Sequence, residues 1–214
     1  MRQVERLVSY TLIGVIIGLC LHTNHLYSQS NWQLGVAIGI SYSDFIEEQV
    51  SMTDEENIQF NGLPESSFQI WNQYNFSNKV GFNISPGFSW RGARLTSDRD
   101  KYEGVYFLTP ISIQTKLNNR ISVGAGMEYS YLISFGESSN EELFNLTDEV
   151  SQKHLFAAIT NVGMAVNHNL SVNLEYNHGL NAFYQLSKFN RRGGFNDVVN
   201  VRNQSLKLSL IFHN

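Results

Sequence analysis

Cysteine is almost missing from this 214-residue chain: Cys20 stands alone, so no intramolecular disulfide can form. Charge is thin as well, with 16% Asp, Glu, Lys and Arg and a formal net charge of −4. That balance removes the basic face a nucleic-acid binder needs. Proline occurs three times against 16 glycines, a ratio that suits strands and turns better than a disordered chain. A long apolar run is lacking too. The stretch at residues 10–21 falls short of the roughly 20 residues a helical span requires, and the mean hydropathy of −0.22 is too low for a helical membrane protein.

Against these shortages stands an aromatic content of 13%. Few charges, many rings and a mildly polar average belong together in a transmembrane β-barrel, where only every second strand residue meets lipid.

The first thirty residues have the order of a secretory signal. Arg2 and Arg6 precede the apolar run TLIGVIIGLCL, and polar residues 22–30 follow it. Cleavage after Ser28 leaves a mature chain starting at Gln29, and Ser30 is the nearby alternative. The expected division is thus a signal peptide at 1–28 and a barrel domain at 29–214. A lipidated Cys20 and an uncleaved anchor are the competing readings. Leu19 stands where lipidation wants a small residue.

Period-2 alternation marks eight strands, near residues 32–42, 67–77, 79–91, 102–116, 120–133, 154–166, 169–181 and 202–212. In the first, Trp32, Leu34, Val36, Ile38, Ile40 and Tyr42 oppose Gln33, Gly35, Ala37, Gly39 and Ser41. In the seventh, Leu170, Val172, Leu174 and Tyr176 oppose Ser171, Asn173, Glu175 and Asn177. The fourth and sixth are less clean. In the fourth, Val105, Phe107, Ile111 and Ile113 compete with Tyr106 and Leu108 for the apolar face, and Pro110 predicts a bulge or bend.

Short connections at Asn78, Asn118-Asn119 and Asn167-His168 alternate with long polar ones at 43–66, 92–101, 134–153 and 182–201. Asparagine suits tight turns. Outer-membrane barrels keep short turns inside and long loops outside, so both termini are expected in the periplasm.

The alternation alone does not separate a membrane barrel from a soluble carrier, but the identity of the faces does. One face carries rings and branched aliphatics, the other Gly, Ser and Asn. Glycine weakens strands and covers a solvated surface poorly. It makes sense where eight strands converge on a lumen just wide enough to be filled by side chains. The expected fold is therefore all-β, an eight-stranded antiparallel up-and-down transmembrane barrel with a filled polar interior and interfacial rings such as Trp32, Tyr42, Phe76, Trp90, Tyr129 and Tyr131.

Three stretches resemble a known family: Pro86-Gly87-Phe88-Ser89-Trp90, residues 105–114 (VYFLTPISIQ) and residues 123–132 (VGAGMEYSYL). Together with Tyr176-Asn177-His178-Gly179-Leu180 they are similar to the PorT-like outer-membrane barrels of the Bacteroidetes type. The resemblance runs over about residues 32–212. It implies an outer-membrane location, makes Pro110 a family feature, and leaves the activity open, since one branch is linked to protein secretion.

Four charges are expected inside: Arg91, Glu128, Glu175 and Lys207. Charges in a filled barrel must be paired; Glu175 and Lys207 lie on adjacent strands, and Arg91 is placed to reach Glu128. The alternative is a proton or ion path, which a filled barrel rarely offers. His178-Gly179-Leu180-Asn181-Ala182 resembles the His-x-Ser-Asn-Ala sequence of outer-membrane lipid A deacylases of the PagL type. Leu180 occupies the serine position, however, and cannot act as a nucleophile; His178 is expected at the rim or in the lumen. His154, His168 and His213 are isolated, so no metal site is inferred. The stretch from Asp44 to Glu56 lacks the order of a calcium loop. Arg191 and Arg192 offer lipopolysaccharide phosphates a weak site, with a solvated turn as the simpler reading.

No catalytic, cofactor or metal residues are therefore assigned. The expectation is a non-enzymatic, monomeric barrel of the outer membrane, in contact with its lipid and lipopolysaccharide. Its long loops would serve a structural or interaction role with an unidentified envelope partner. A lipid-modifying enzyme and a narrow pore or ligand-binding barrel are the alternatives.

Overall fold

The computed structural model describes residues 31–48, 60–95, 101–139, 142–147, 150, 152–182, 184–189 and 195–214. The expected signal peptide, Cys20, most of the acidic stretch that follows Asp44, and Arg191 and Arg192 lie outside the described residues.

The described chain is built of antiparallel strands: β1 (Trp32–Glu48), β2 (Phe60–Asn75), β3 (Val80–Ile84), β4 (Gly87–Leu95), β5 (Lys101–Lys116), β6 (Ile121–Ser139), β7 (Glu142–Asn145), β8 (His154–Ala165), β9 (Leu170–Gly179), β10 (Tyr184–Phe189) and β11 (Phe195–His213). They form eight staves. β3 and β4 make one stave between β2 and β5, while β7 and β10 pair on the outer extensions of β6 and β11. β1 pairs with both β2 and β11, which closes the sheet on itself and leaves the staves no free edge.

The alternation read from the sequence is the alternation observed. Ile38, Ile40, Leu174, Leu208 and Leu210 are exposed on the outer face, and Ser41, Asn173, Glu175, Lys207 and Ser209 are buried inside. The interior is tightly filled. A Cβ added to Gly39 would lie 2.6 Å from Ser209 Oγ and 2.7 Å from Ser67 Oγ. At Gly126 it would collide with the Ile111 carbonyl of the neighbouring stave, so that glycine permits the close approach of β5 and β6.

β5 and β8 resolve the ambiguity of their sequences. Tyr106, Leu108, Pro110 and Ser112 point inward while Ile111 and Ile113 face out. In β8, Leu155, Ala157 and Ile159 are inside and Phe156, Val162 and Met164 outside. The interior is apolar at one end, and there polarity cannot distinguish the two faces.

Three expectations need correction. Pro110 makes no bulge: it keeps continuous register with Glu128. Its missing donor faces Ser85 on the next stave, where Ser85 N–H donates to the Pro110 carbonyl at 3.1 Å. The third expected strand is interrupted there, at Ser85-Pro86, between β3 and β4. The bulge lies instead where Val105 pairs Ser134 and Tyr106 pairs Leu132, leaving Ile133 as the extra residue on β6. It resets the parity, so that Ile133 and Ser134 both face out and Phe135 turns in.

The long connections are also less loop-like than expected. β1 runs six residues past Tyr42, β6 continues to Ser139, and β11 begins at Phe195. At the opposite end the turns are tight. Asn118 Oδ1 accepts from the Arg120 and Ile121 amides at 2.8 Å each, and Asn167 Oδ1 accepts from Asn169 at 2.9 Å. In the remaining turn Ser77, rather than Asn78, provides the acceptor, at 3.2 Å from the Lys79 amide and 3.1 Å from that of Val80.

Candidate functional site: the barrel interior and its two ends

The interior is layered. Nearest the short turns, Trp71 and Ile211 pack with Ala37, and Trp71 lies 5.2 Å from the His213 ring. Above them comes a belt of amides and hydroxyls: Gln69, Asn83, Ser85, Asn161 and Asn173, all buried, while Gln73 lies on the short-turn side of Trp71.

The charged layer follows. Lys207 Nζ meets Glu175 Oε1 at 2.5 Å, on residues that are direct partners in the β9–β11 register. Arg91 Nη2 donates to Glu128 Oε1 at 2.6 Å, and Ser130 Oγ donates to the same oxygen at 2.8 Å. Arg91 belongs to β4 and Glu128 to β6, so the bond spans β5 and passes over Tyr106, whose ring centroid is 5.3 Å from the guanidinium carbon. Both expected pairs are therefore formed. Two cations and two carboxylates cancel, as burial in a low-dielectric lumen demands. Glu65, inward on β2, is half-buried, and neither of its carboxylate oxygens has a hydrogen-bond partner among the described residues.

Toward the long-loop end the described interior carries an apolar layer that polarity reasoning missed. Ala93, Tyr106, Leu132, Phe135, Val150 and Leu155 form a buried cluster, with Tyr102 and Leu146 packed on it. Val150 and Leu146 come from the β6–β8 connection and pack on residues of β4, β5, β6 and β8. The Leu146 amide donates to the Phe135 carbonyl at 2.9 Å, and the Phe135 amide donates to Thr147 Oγ1 at 2.9 Å. The signal was present in the paired apolar residues of β5 and β8, but it read as ambiguity.

Between these ends the lumen holds little free space. A cavity of about 140 Å³ opens at the short turns, and a space of about 20 Å³ lies deeper, beside Glu175 and Asn161. The deeper one has room for about one water.

The histidines fall elsewhere. His178 is on the outer side of β9, stacked 6.4 Å from Tyr176, and Leu180 is exposed beside it; the rim placement holds and the lumen placement does not. His154 is also outward, its Nδ1 2.8 Å from the Tyr129 hydroxyl and its ring 5.2 Å from that of Tyr131. Among the described histidines only His213 approaches the lumen, where its Nε2 is 3.0 Å from Ser171 Oγ. Among the described residues no three His, Cys, Asp or Glu side chains are grouped to hold a metal.

A closed ring of staves, apolar outside and polar within, has a counterpart among known proteins. The family model described as "Outer membrane protein beta-barrel domain" matches residues 27–185. The chain belongs to that family. No curated protein sequence matches it, but solved outer-membrane barrels do. Neisserial surface protein A is 12% identical, covering 86% of this chain and 97% of its own, with a TM-score of 0.51. The outer membrane protein OprG of Pseudomonas aeruginosa is 12% identical over 86% and 95%, also at 0.51. Ail, the attachment invasion locus protein of Yersinia pestis, solved with the heparin analogue sucrose octasulfate, is 15% identical over 86% and 99%, at 0.47.

This outer membrane β-barrel therefore exposes its apolar face to lipid. From Trp32 to Tyr42, β1 offers 11 residues, within the roughly 9–11 that a tilted strand needs to cross a bilayer. Rings mark both borders. Trp32, Tyr74 and Phe76 cluster near the short turns, with centroids 4.9 and 5.2 Å apart. Tyr129, Tyr131 and Phe156 gather toward the long-loop end with His154. These are the positions where amphipathic rings meet headgroups.

Proposed function

We propose that this barrel is a non-enzymatic, monomeric outer-membrane scaffold that presents its long connections outside the cell for interaction with an envelope or surface partner. The observation that carries this reading is the one-sided extension of the staves. At one end they stop in tight turns, while at the other β1, β2, β6 and β11 run on beyond the apolar belt, with β7 and β10 paired to them. Extension as paired ribbon pre-orders the connections, which lowers the entropic cost of binding a partner.

Two further features favour it over the alternatives. The ion-paired middle layer and the apolar cluster at the long-loop end argue against an open pore. Leu180, next to His178 on the outer face, supplies no nucleophile for lipid hydrolysis. Within the family, a PorT-like affiliation is supported by residues 86–90, 105–114 and 123–132. Apart from Pro86, which precedes β4, these fall on β4, β5 and β6, three neighbouring staves that frame the Arg91–Glu128 bond.

A photo-crosslinking residue at Asp54 or Asn140, introduced in producing cells, tests the reading. A discrete adduct from either position, and none from the same residue placed at Asn118 in a short turn, is the expected result. Lipid A altered by the wild-type protein, or stepwise conductance in planar bilayers, would instead establish one of the alternatives.

A further inference from the structure

The cavity of about 140 Å³ at the short-turn end has an unusual lining. Its ionisable residues are Lys116, Arg120 and His213, and no carboxylate contributes to it. Unlike Arg91 and Lys207, which are buried against Glu128 and Glu175, Lys116 and Arg120 are exposed at the mouth of this cavity. Lys116 and Arg120 make no ion pair with a described residue. Both flank the β5–β6 turn, whose Asn118 and Asn119 also line the cavity. The walls add amides from Gln33, Gln114 and Gln73, the last already donating to Asn75 Oδ1 at 2.8 Å, and Trp71, Ile211, Val172 and Met164 supply an apolar side.

Size narrows the occupant. The cavity holds on the order of ten waters, well under the roughly 300 Å³ of a drug-sized site. The 20 Å³ space beyond it stops anything larger than water from going deeper. An acyl chain or a folded peptide does not fit; a compact polar molecule does. Two cations of different geometry, one a point charge and one a planar fork, with amide donors around them, match an oxyanion.

We propose that this vestibule is a binding site for a small oxyanion, of phosphate or carboxylate type, that enters from the short-turn side. The site is independent of whatever the long connections bind.

Trp71 reports on it directly. In the full chain with Trp32→Phe and Trp90→Phe, purified in detergent micelles, Trp71 is the remaining indole. Inorganic phosphate and succinate are titrated separately, with glycerol and sodium chloride at matched ionic strength as controls. Amide NMR shifts of Asn118, Asn119 and Arg120 serve as a second readout. The expected result is a saturable response to phosphate or to succinate, and which of them acts identifies the anion class. Affinity should fall about tenfold or more in Lys116→Gln/Arg120→Gln, equivalent to at least ~1.4 kcal/mol. It should be unchanged in Arg94→Gln at the far end, with heat-modifiable gel mobility confirming that each variant is folded. No saturable response in either readout, a response equalled by sodium chloride, or a double variant that titrates like its parent would overturn the proposal.

Discussion

Arg91 and Glu128 are buried together, at 6% and 0% side-chain exposure, so each is the other's solvent. Removing one leaves a charge stranded in the lumen. Glu128→Ala is expected to destabilise the barrel by about 3–5 kcal/mol, and Arg91→Met/Glu128→Leu to recover most of that loss, because the double change removes both charges. Urea unfolding of micelle-refolded protein measures both; a single variant as stable as the parent would show the pair to be idle. The outer face obeys the opposite rule. Leu210, paired with Ile38 near the middle of the apolar belt, is exposed to lipid. Leu210→Arg is expected to lose about 2–4 kcal/mol, although Lys207 three residues away is stably held inside. A hydrophilic outer face would tolerate the arginine with little change. Both ion pairs were legible from alternation, because a charged residue among Gly, Ser and Asn can only face inward. The cluster of Tyr106, Leu132 and Phe135 was not legible, because an apolar residue fits either face.

At the scale of the strand, period 2 is reliable only while the backbone keeps register. Residues 121–131 alternate as the sequence suggests, but the bulge at Ile133 then inverts the pattern. It turns Phe135 into the lumen, where the ring stacks 6.2 Å from Tyr102. Phe135→Ala is expected to lose about 3–5 kcal/mol, that of taking a phenylalanine out of a packed cluster, measured in the same unfolding assay. Unchanged stability would mean that the inward turn of Phe135 contributes nothing to the barrel. Bulges carry no composition of their own, which is why this one was invisible beforehand. Pro110 misled in the reverse direction. A proline normally demotes a strand, yet here its missing N–H faces the break at Ser85-Pro86, where the neighbouring ladder is already interrupted. Extension beyond the membrane was equally hidden, because polar ribbon and polar loop have similar compositions.

At the scale of the whole molecule, closure and filling set the properties. The ring closes through β1 and β11 over 14 paired positions, from Gly35–His213 to Glu48–Asn200. Inside, the two buried ion pairs and the apolar cluster beyond them occupy the described part of the lumen. Planar bilayers containing the purified protein are therefore expected to stay silent at all voltages; resolved conductance steps would require a different lumen. The central claim is that a closed, lipid-facing barrel forms in the outer membrane. Its most direct test is gel mobility of the outer-membrane fraction with and without boiling. A closed barrel resists detergent until heated, so the unheated protein should run faster as a compact band and shift on boiling. A protein recovered in the soluble periplasmic fraction, with mobility indifferent to heat, would contradict the account.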